Sequence, residues 1–358
     1  MVGLGKQWNH WTTFASLLAL FLFSCLLLPH CIAPAISVTT DRLSPRPHLL
    51  VILSPQYADT PSIRSSLTLY LDAVSQTPGW RSSILPLTSE MNTADIIDFF
   101  ISSTMRMNPL KACLFIGEDI TFDLLGSYQH MAKVSTKQWS KIGSSEVCIS
   151  LLYPNPARSY EDRCDQICST LERFARIRSL PMNFGSVIAE SSAVNQYSTD
   201  EYQTLATKYS ATYIINPNNE QLEMIYEQPS SLVCLHGHAS ISSVIVNEAD
   251  NEFISSLKAA RIKTSILAVD GCYTNGIESG PGTTSRTPFL SSICESSSIH
   301  VGLFGLLSQK IESKTNVIAS MIPALAMGKT VADAFQSASL NGDLVITGDP
   351  TFQFEEGM

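Results

Sequence analysis

The sequence predicts an α/β fold in which helices cover both faces of a mostly parallel sheet. Two features of the chain carry this prediction. Short, uninterrupted apolar runs recur along it, and such runs are typical of strands that are buried on both faces. Between them lie longer segments whose apolar residues return with the spacing of one helical face. Strands that alternate with helices in this order favour a parallel sheet.

The first half of the chain already shows this alternation. The run over 48–54 is continuously apolar, and the segment over 61–75 places its apolar residues on one helical face. Residues 118–155 are less periodic, so no element is assigned to them. The predicted elements of this half are strands over 48–54, 80–87 and 112–117 and helices over 61–75, 93–103 and 161–178.

The second half repeats the pattern with shorter strands. A helix begins near Thr199, and the apolar run over 301–307 is interpreted as a strand or a buried turn. The remaining predicted elements are strands over 184–189, 212–215, 232–235 and 266–269 and a helix over 330–338.

The charge balance argues against a nucleic-acid partner. The 358 residues include 23 Lys and Arg against 32 Asp and Glu, which gives a formal net charge of −9. Because the sequence has no basic stripe or Lys/Arg-rich segment, it lacks the electrostatic footprint of a nucleic-acid-binding protein.

The N-terminal segment is predicted to direct export and to lie outside the fold. Lys6 precedes an uncharged apolar stretch over 14–28, and a small-residue site follows at 33–35. This pattern is typical of a secretory signal peptide over 1–35, followed by a linker over 36–47. The stretch is short for a membrane span of about 20 residues. An uncleaved anchor is the competing interpretation, and membrane contact is expected only through this segment.

The cysteine count predicts a free thiol. Of nine cysteines, Cys25 and Cys31 leave with the predicted signal peptide, and the odd number that remains cannot all be paired in an exported chain. Cys164 and Cys168 lie four residues apart in a predicted helix and are interpreted as packed thiols. No Cys-x-x-Cys pair or histidine-rich cluster indicates a zinc site.

Two apolar runs stop abruptly at reactive side chains. The run within 231–240 ends at His236 and His238, and the run within 265–276 ends at Cys272. If both runs are neighbouring parallel strands, an imidazole and a thiol meet at one edge of the sheet. A cysteine nucleophile with a histidine base needs these two groups. Taken alone, either residue at a strand end is ordinarily structural.

The order of these segments resembles that of the caspase-like cysteine peptidases, and most closely the gingipain-type peptidases. Their histidine lies in a Gly-His-Gly-Ser context, which residues 237–240 match with one change. Their cysteine lies in a Cys-x-Asn-Gly context, which residues 272–276 match with one extra residue. The Gly-Asp-Pro-Thr-Phe segment at 348–352 is similar to the one that ends their catalytic domain, and residues 97–119 are similar to part of their N-terminal subdomain.

This resemblance implies a caspase-like three-layer sandwich with two adjacent subdomains, over 48–180 and 181–358. It implies an exported cysteine endopeptidase, secreted or held in the cell envelope, that acts on protein or peptide substrates. No organic cofactor or catalytic metal is implied. The resemblance also allows a structural calcium ion by analogy with relatives, although no ligand set is evident in this sequence.

The resemblance also implies roles for individual residues. Cys272 is the expected nucleophile and His238 the expected base, while His236 is an alternative base because His236-Gly237 also fits a shorter His-Gly pattern. The backbone amides of Ala239 and Cys272 are expected to hold the oxyanion.

Three acidic residues are candidates for supporting roles. Glu190 is expected to orient the histidine, and an ordinary carboxylate at a strand end is the alternative. Asp200 or Glu201 is a candidate for the substrate pocket, and a solvated helix start is the alternative for both.

The chain departs from the family pattern at two positions beside the predicted site. Ala239 replaces the glycine after the histidine, and Gly271 replaces the alanine before the cysteine. Two other functions stay open. One is a non-catalytic binding module on the same fold, although the intact His and Cys motifs argue against it. The other is a transpeptidase of the cell envelope, because it uses the same acyl-enzyme intermediate.

Overall fold

A computed structural model describes most of the chain after residue 45. The described residues are 46–86, 110–117, 147–181, 185–192, 196–240, 242–248, 250, 252–271, 289–305, 317–338 and 344–355. The predicted signal peptide, the predicted helix over 93–103 and the predicted nucleophile Cys272 lie outside them.

A ten-stranded sheet forms the centre of the molecule, which confirms the prediction of an α/β fold with a mostly parallel sheet. Its strands lie in the order β2-β1-β3-β4-β14-β13-β12-β8-β6-β7. Their bounds are β1 His48–Leu53, β2 Arg81–Pro86, β3 Leu110–Ile116, β4 Cys148–Leu152, β6 Ser186–Glu190, β7 Thr212–Ile215, β8 Ser230–His236, β12 Thr264–Asp270, β13 Val301–Gly305 and β14 Leu344–Gly348.

Strand direction divides this sheet into two halves. Among the described strand pairs, β13 and β14 are antiparallel and the others are parallel. Strands of the first half of the chain therefore end at one edge of the sheet, while β6, β8 and β12 end together at the opposite edge. The predicted division into subdomains at residue 180 stays a prediction.

Two smaller sheets flank the large one. Strands β9 (His238–Ser240), β10 (Ser243–Asn247) and β11 (Glu252–Ser255) form an antiparallel sheet directly after β8. Strands β5 (Ser179–Pro181) and β15 (Gln353–Glu355) form a parallel pair.

The helices pack in two groups. Pro61–Gln76 packs against Tyr160–Arg176, and Val317–Ala326 contacts both Gln196–Tyr209 and Val331–Ser337. Every residue of the central strands β8 and β12 is buried, so both faces of the sheet are covered. The other described helices are Pro55–Ala58, Asn219–Glu227, Ser256–Ala259 and Ser292–Glu295, and a short 3-10 helix spans Phe289–Ser291. None of the helices in the described part of the chain is long and apolar enough to span a bilayer.

Helix ends follow local sequence rules. The Ser159 hydroxyl accepts a hydrogen bond from the Asp162 amide at the start of Tyr160–Arg176, and Asn218 forms a reciprocal capping box with Gln221 before Asn219–Glu227. Thr330 caps Val331–Ser337 by accepting a bond from the Asp333 amide. These caps satisfy backbone donors that a helix cannot satisfy internally.

A buried ionic network fixes the end of β14. The Asp349 carboxylate pairs with the Arg178 guanidinium and accepts hydrogen bonds from the Tyr70 hydroxyl at 2.7 Å and from the Thr351 amide at 2.9 Å. Gly348 has φ +89° and lies against the His300 carbonyl, where an added Cβ would stand 2.1 Å from the oxygen. The Gly-Asp-Pro-Thr segment therefore has a structural role at the junction of the two sheet halves.

Candidate active site

Three parallel strands bring three ionisable side chains to the same edge of the sheet. Glu190 ends β6, His236 ends β8 and Asp270 ends β12. His236 is the register partner of Glu190 on one side and of Asp270 on the other. Parallel strands project neighbouring side chains in the same direction, so the three residues form a row at the carboxyl edge, where α/β proteins bind ligands.

His236 lies buried between the two carboxylates. Its Nδ1 is 3.7 Å from Glu190 Oε2, and its Nε2 is 3.7 Å from Asp270 Oδ2. The three residues are 4%, 1% and 7% exposed for His236, Glu190 and Asp270 respectively. Glu190 is predicted to orient the catalytic histidine. In the structure it lies beside His236, the alternative base, and not beside His238, the expected base.

Tyr202, which lies on the helix Gln196–Tyr209, contacts both Asp270 and His236. Its hydroxyl donates a 3.0 Å hydrogen bond to Asp270 Oδ2, and its ring centroid is 5.2 Å from that of His236. Burial, reinforced by the Asp270 charge, raises the pKa of Tyr202 well above its usual value, so the hydroxyl keeps its proton and acts as a donor.

The predicted pocket residues precede Tyr202 on the same helix. Asp200 is exposed and Glu201 is half-buried. Their predicted role in substrate recognition stays a prediction.

His238 has a different environment from His236. It opens β9 with 64% of its side chain exposed, and its Nε2 is 3.5 Å from Glu248 Oε1. Glu248 follows β10, which pairs antiparallel with β9 so that Ile245 lies opposite His238. His238 is therefore an exposed imidazole beside a half-exposed carboxylate.

Sequence reasoning missed Glu248, Tyr202 and Asp270. Asp270 could have been identified from the sequence, because it lies two residues before Cys272. A strand that leads to Cys272 at one edge of the sheet places Asp270 at the same edge. No sequence pattern links Glu248 to His238, since their contact depends on how β9 and β10 pair.

The glycines beside the two predicted catalytic residues allow a close backbone approach. Gly237 donates its N–H to the Asp270 carbonyl at 3.2 Å. An added Cβ on Gly271 would stand 2.6 Å from the Gly237 oxygen, 2.5 Å from Ala239 Cβ and 3.5 Å from the Ala239 nitrogen. The residue that precedes Cys272 therefore lies against the residues on both sides of His238, and beside the amide predicted to bind the oxyanion.

Most other cysteines are poor nucleophiles. The six described cysteines have free thiols, and Cys168 is the one that is partly exposed. Burial raises the pKa of Cys113 to about 12 and raises the pKa of Cys148 and Cys234 further, which keeps these thiols protonated at neutral pH. Cys164 and Cys168 are unbridged, as predicted.

Within the described ranges, no group of three His, Cys, Asp or Glu side chains is arranged to hold a metal ion.

Comparisons with known proteins show no family for this chain. No family model and no curated protein matches it. A Saccharomyces cerevisiae separase–securin complex is similar with a TM-score of 0.36 and 13% identity, over 84% of this chain and 23% of that chain. An extracellular ligand binding receptor from Desulfohalobium retbaense is similar with a TM-score of 0.20 and 11% identity, over 74% of this chain and 44% of that one.

A third similar structure is the branched-chain amino acid transporter substrate binding protein LivJ from Streptococcus pneumoniae. It has a TM-score of 0.19 and 8% identity, and the match covers 84% of this chain and 79% of that one. TM-scores this low support no argument about family or function, so the function rests on the residues of the site.

Proposed function

We propose that this protein is an exported cysteine endopeptidase of the caspase-like, gingipain-type kind, with Cys272 as nucleophile and His238 as base. One observation carries the proposal: Gly271, the residue before Cys272, packs against the Gly237 carbonyl and Ala239, which flank His238. The adjacent ends of β8 and β12 each precede one of the two proposed catalytic residues by two positions.

The exposed histidine suits the role of base better than the buried one. His238 is open to a substrate, whereas His236 has a carboxylate 3.7 Å from each ring nitrogen. Glu248 Oε1 lies 3.5 Å from His238 Nε2, so an Nε2–H can point to Glu248 and leave Nδ1 free to accept a proton. Glu248 then supports the imidazolium that forms during the reaction.

The proposed reaction proceeds through an acyl-enzyme. His238 accepts the Cys272 thiol proton, and the thiolate sulfur bonds to the carbonyl carbon of the scissile peptide. The amide N–H groups of Ala239 and Cys272 donate to the resulting oxyanion. The C–N bond breaks as His238 returns the proton to the leaving amine, and water then hydrolyses the thioester to release the acid and restore the thiol.

Labelling by peptide-based electrophiles tests this proposal. Purified residues 36–358 are treated with a panel of peptidyl acyloxymethyl ketones that differ in their terminal residue, and modified cysteines are mapped by mass spectrometry. We expect labelling of Cys272 that is abolished by Cys272→Ala, strongly reduced by His238→Ala, and selective for one class of terminal residue.

Cys168→Ala is the matched control, because Cys168 is the partly exposed cysteine among those described. Its loss should leave the labelling unchanged. A folded protein that reacts at no cysteine, or that reacts equally at Cys168 and Cys272 without dependence on His238, would contradict the proposal and favour a non-catalytic binding module.

A further inference from the structure

His238 belongs to a row of side chains that crosses the small sheet β9–β11. Strand register places Ile245 of β10 opposite His238 of β9 on one side and opposite Phe253 of β11 on the other. Directly opposite residues of antiparallel strands project to the same face of a sheet. The side chains of His238, Ile245 and Phe253 therefore share one face, and we call them the His238 row.

Burial shows that the His238 row lies on the outer face of this sheet. At the alternate positions, Val244 and Ile254 are fully buried, whereas Phe253 is 49% exposed and Ile245 is half-buried. Most of the His238 side chain is exposed as well. A phenylalanine and an isoleucine are thus held in contact with solvent beside the proposed base, although such side chains are most often buried in folded proteins.

The two ends of the His238 row carry opposite charges, and its middle is apolar. Glu248 Oε1 lies 3.5 Å from His238 Nε2 at one end, and Lys258 Nζ lies 6.0 Å from the centroid of the Phe253 ring at the other. This surface fits a large uncharged side chain, because covering Ile245 and Phe253 removes apolar area from water. A charged side chain would lose part of its hydration there.

A polar row lies beside the apolar one on the same outer face. Ser243 is the register partner of Ser240 on one side and of Ser255 on the other, and it precedes Ile245 by two positions. The hydroxyl oxygens of Ser240 and Ser243 are 2.8 Å apart. A peptide that lays a side chain on Ile245 and Phe253 therefore finds hydroxyl groups alongside that can hydrogen-bond to its backbone.

The proposed reaction brings the departing half of the substrate to the His238 row. His238 returns its proton to the leaving amine, so the second product begins at this imidazole. Neighbouring strands lie about 4.8 Å apart, so Phe253, two strands away, stands about 10 Å from His238, which is the span of about three residues of extended peptide. We propose that Ile245 and Phe253 form the subsite for a large apolar side chain at the second or third residue after the scissile bond.

The inference rests on the proposed function, but the two are tested on opposite sides of the cut. Acyloxymethyl ketones carry their peptide on the acyl side, so labelling of Cys272 tests the nucleophile without use of this subsite. Internally quenched peptides test the subsite itself. They share the terminal residue that the labelling panel selects and carry Phe, Leu or Gly at the second and third residues after it.

The measurement is the ratio of kcat/KM for the Phe or Leu peptide to that for the Gly peptide. We expect a ratio of about tenfold or more in the wild type, because an apolar side chain gains by burial. Phe253→Ser should bring the ratio close to unity, and Phe253→Tyr, which keeps the ring, should retain most of it. Loss of folded protein lowers both rates and leaves the ratio unchanged.

Leu69→Ser is the matched control. Leu69 is 54% exposed, close to the exposure of Phe253, but it lies on the helix Pro61–Gln76, which packs with the first half of the chain. This variant should keep the full ratio.

Two outcomes would overturn the inference and leave the proposed function standing. One is equal rates for the Phe and Gly peptides in a wild-type protein that is labelled at Cys272, and the other is a ratio that survives Phe253→Ser. If the wild type is not labelled and cleaves no peptide, the proposed function fails instead.

The subsite is then judged by direct binding. Fluorescence anisotropy compares a dye-labelled peptide that has a free amino terminus and Phe at its second and third positions with its Gly counterpart. Preferential binding of the Phe peptide that is lost in Phe253→Ser supports an apolar peptide site on the His238 row, and equal binding of the two peptides contradicts it.

Discussion

At the scale of single residues, the close approach of Gly271 to Ala239 constrains the candidate active site. The sequence pattern differs from that of the gingipain-type peptidases at both positions, with a larger residue after the histidine and a smaller one before the cysteine. An added Cβ on Gly271 would stand 2.5 Å from Ala239 Cβ. Space for one methyl group exists between the two segments, and here Ala239 occupies it.

A double substitution tests this packing. Gly271→Ala should slow Cys272 labelling by about tenfold or more, because the new methyl group pushes the nucleophile segment away from Ala239 and the Gly237 carbonyl, and small displacements of reacting groups are costly. Ala239→Gly/Gly271→Ala should recover part of the rate, limited by the remaining contact of 2.6 Å with the Gly237 oxygen.

Ala239→Gly alone serves as the control and should stay close to the wild-type rate. The comparison uses labelling kinetics with one acyloxymethyl ketone. Equal rates for Gly271→Ala and the double variant would mean that the Ala239 methyl group is not the obstacle.

Only those parts of the candidate site that lie at the carboxyl end of a strand could be predicted from the sequence. His236 ends an apolar run and Cys272 follows another, so the adjacency of the strands that lead to them could be inferred, and β8 and β12 are indeed neighbours. Glu190 is predicted as an orienting carboxylate only through the family resemblance, and strand register places it beside His236. The contact of Glu248 with His238 could not be inferred, because it depends on how β9 and β10 pair.

At the scale of elements, β14 and the turn after it depend on one buried carboxylate. Asp349→Ala should lower the free energy of unfolding by about 3–5 kcal/mol, because it leaves the Arg178 guanidinium buried without its counter-charge. It also removes the acceptor for the Tyr70 hydroxyl and the Thr351 amide.

Urea unfolding of the wild type and the variant measures this loss. Asp59→Ala is the matched control, since Asp59 pairs with Arg64 on the surface with 97% of its side chain exposed, and exposed pairs contribute little to stability. A similar, small change for both variants would contradict the assigned role of Asp349.

Elements with a regular pattern were predicted well. The helix over 61–75 is observed as Pro61–Gln76, the helix over 161–178 as Tyr160–Arg176, and the strand over 212–215 as Thr212–Ile215. The elements that were missed are short or lack a clear apolar period. β4 lies in the stretch of weak periodicity, and the sheet β9–β11 consists of short strands whose pairing depends on the turn after β8.

At the scale of the whole molecule, stability should depend on pH through His300. Its ring is buried near the rings of Phe174 and Phe352, with centroid distances of 5.9 and 5.0 Å. Burial, with the nearby Arg173 charge, lowers the pKa of His300 from 6.5 to about 4. Between these values the unfolded chain binds a proton that the folded protein excludes, so the free energy of unfolding falls as the pH is lowered.

His300→Phe should flatten this part of the pH dependence. The full difference between the two pKa values corresponds to about 3 kcal/mol, present above pH 6.5 and lost progressively toward pH 4. Urea unfolding of both proteins at intervals between pH 7 and pH 4 measures it. Parallel curves for the wild type and the variant would show that His300 does not titrate differently in the folded state.

The position of β14 has a consequence for how the protein folds during synthesis. This strand comes almost last among the described elements, yet it lies in the middle of the large sheet, with β4 on one side and β13 on the other. Until it emerges from the ribosome, each half of the sheet ends in an apolar edge strand with unpaired backbone groups, which is a hazard for aggregation. Closure of the sheet therefore waits for residues 344–348, and until they are made the edges of β4 and β13 stay open to pairing with other chains.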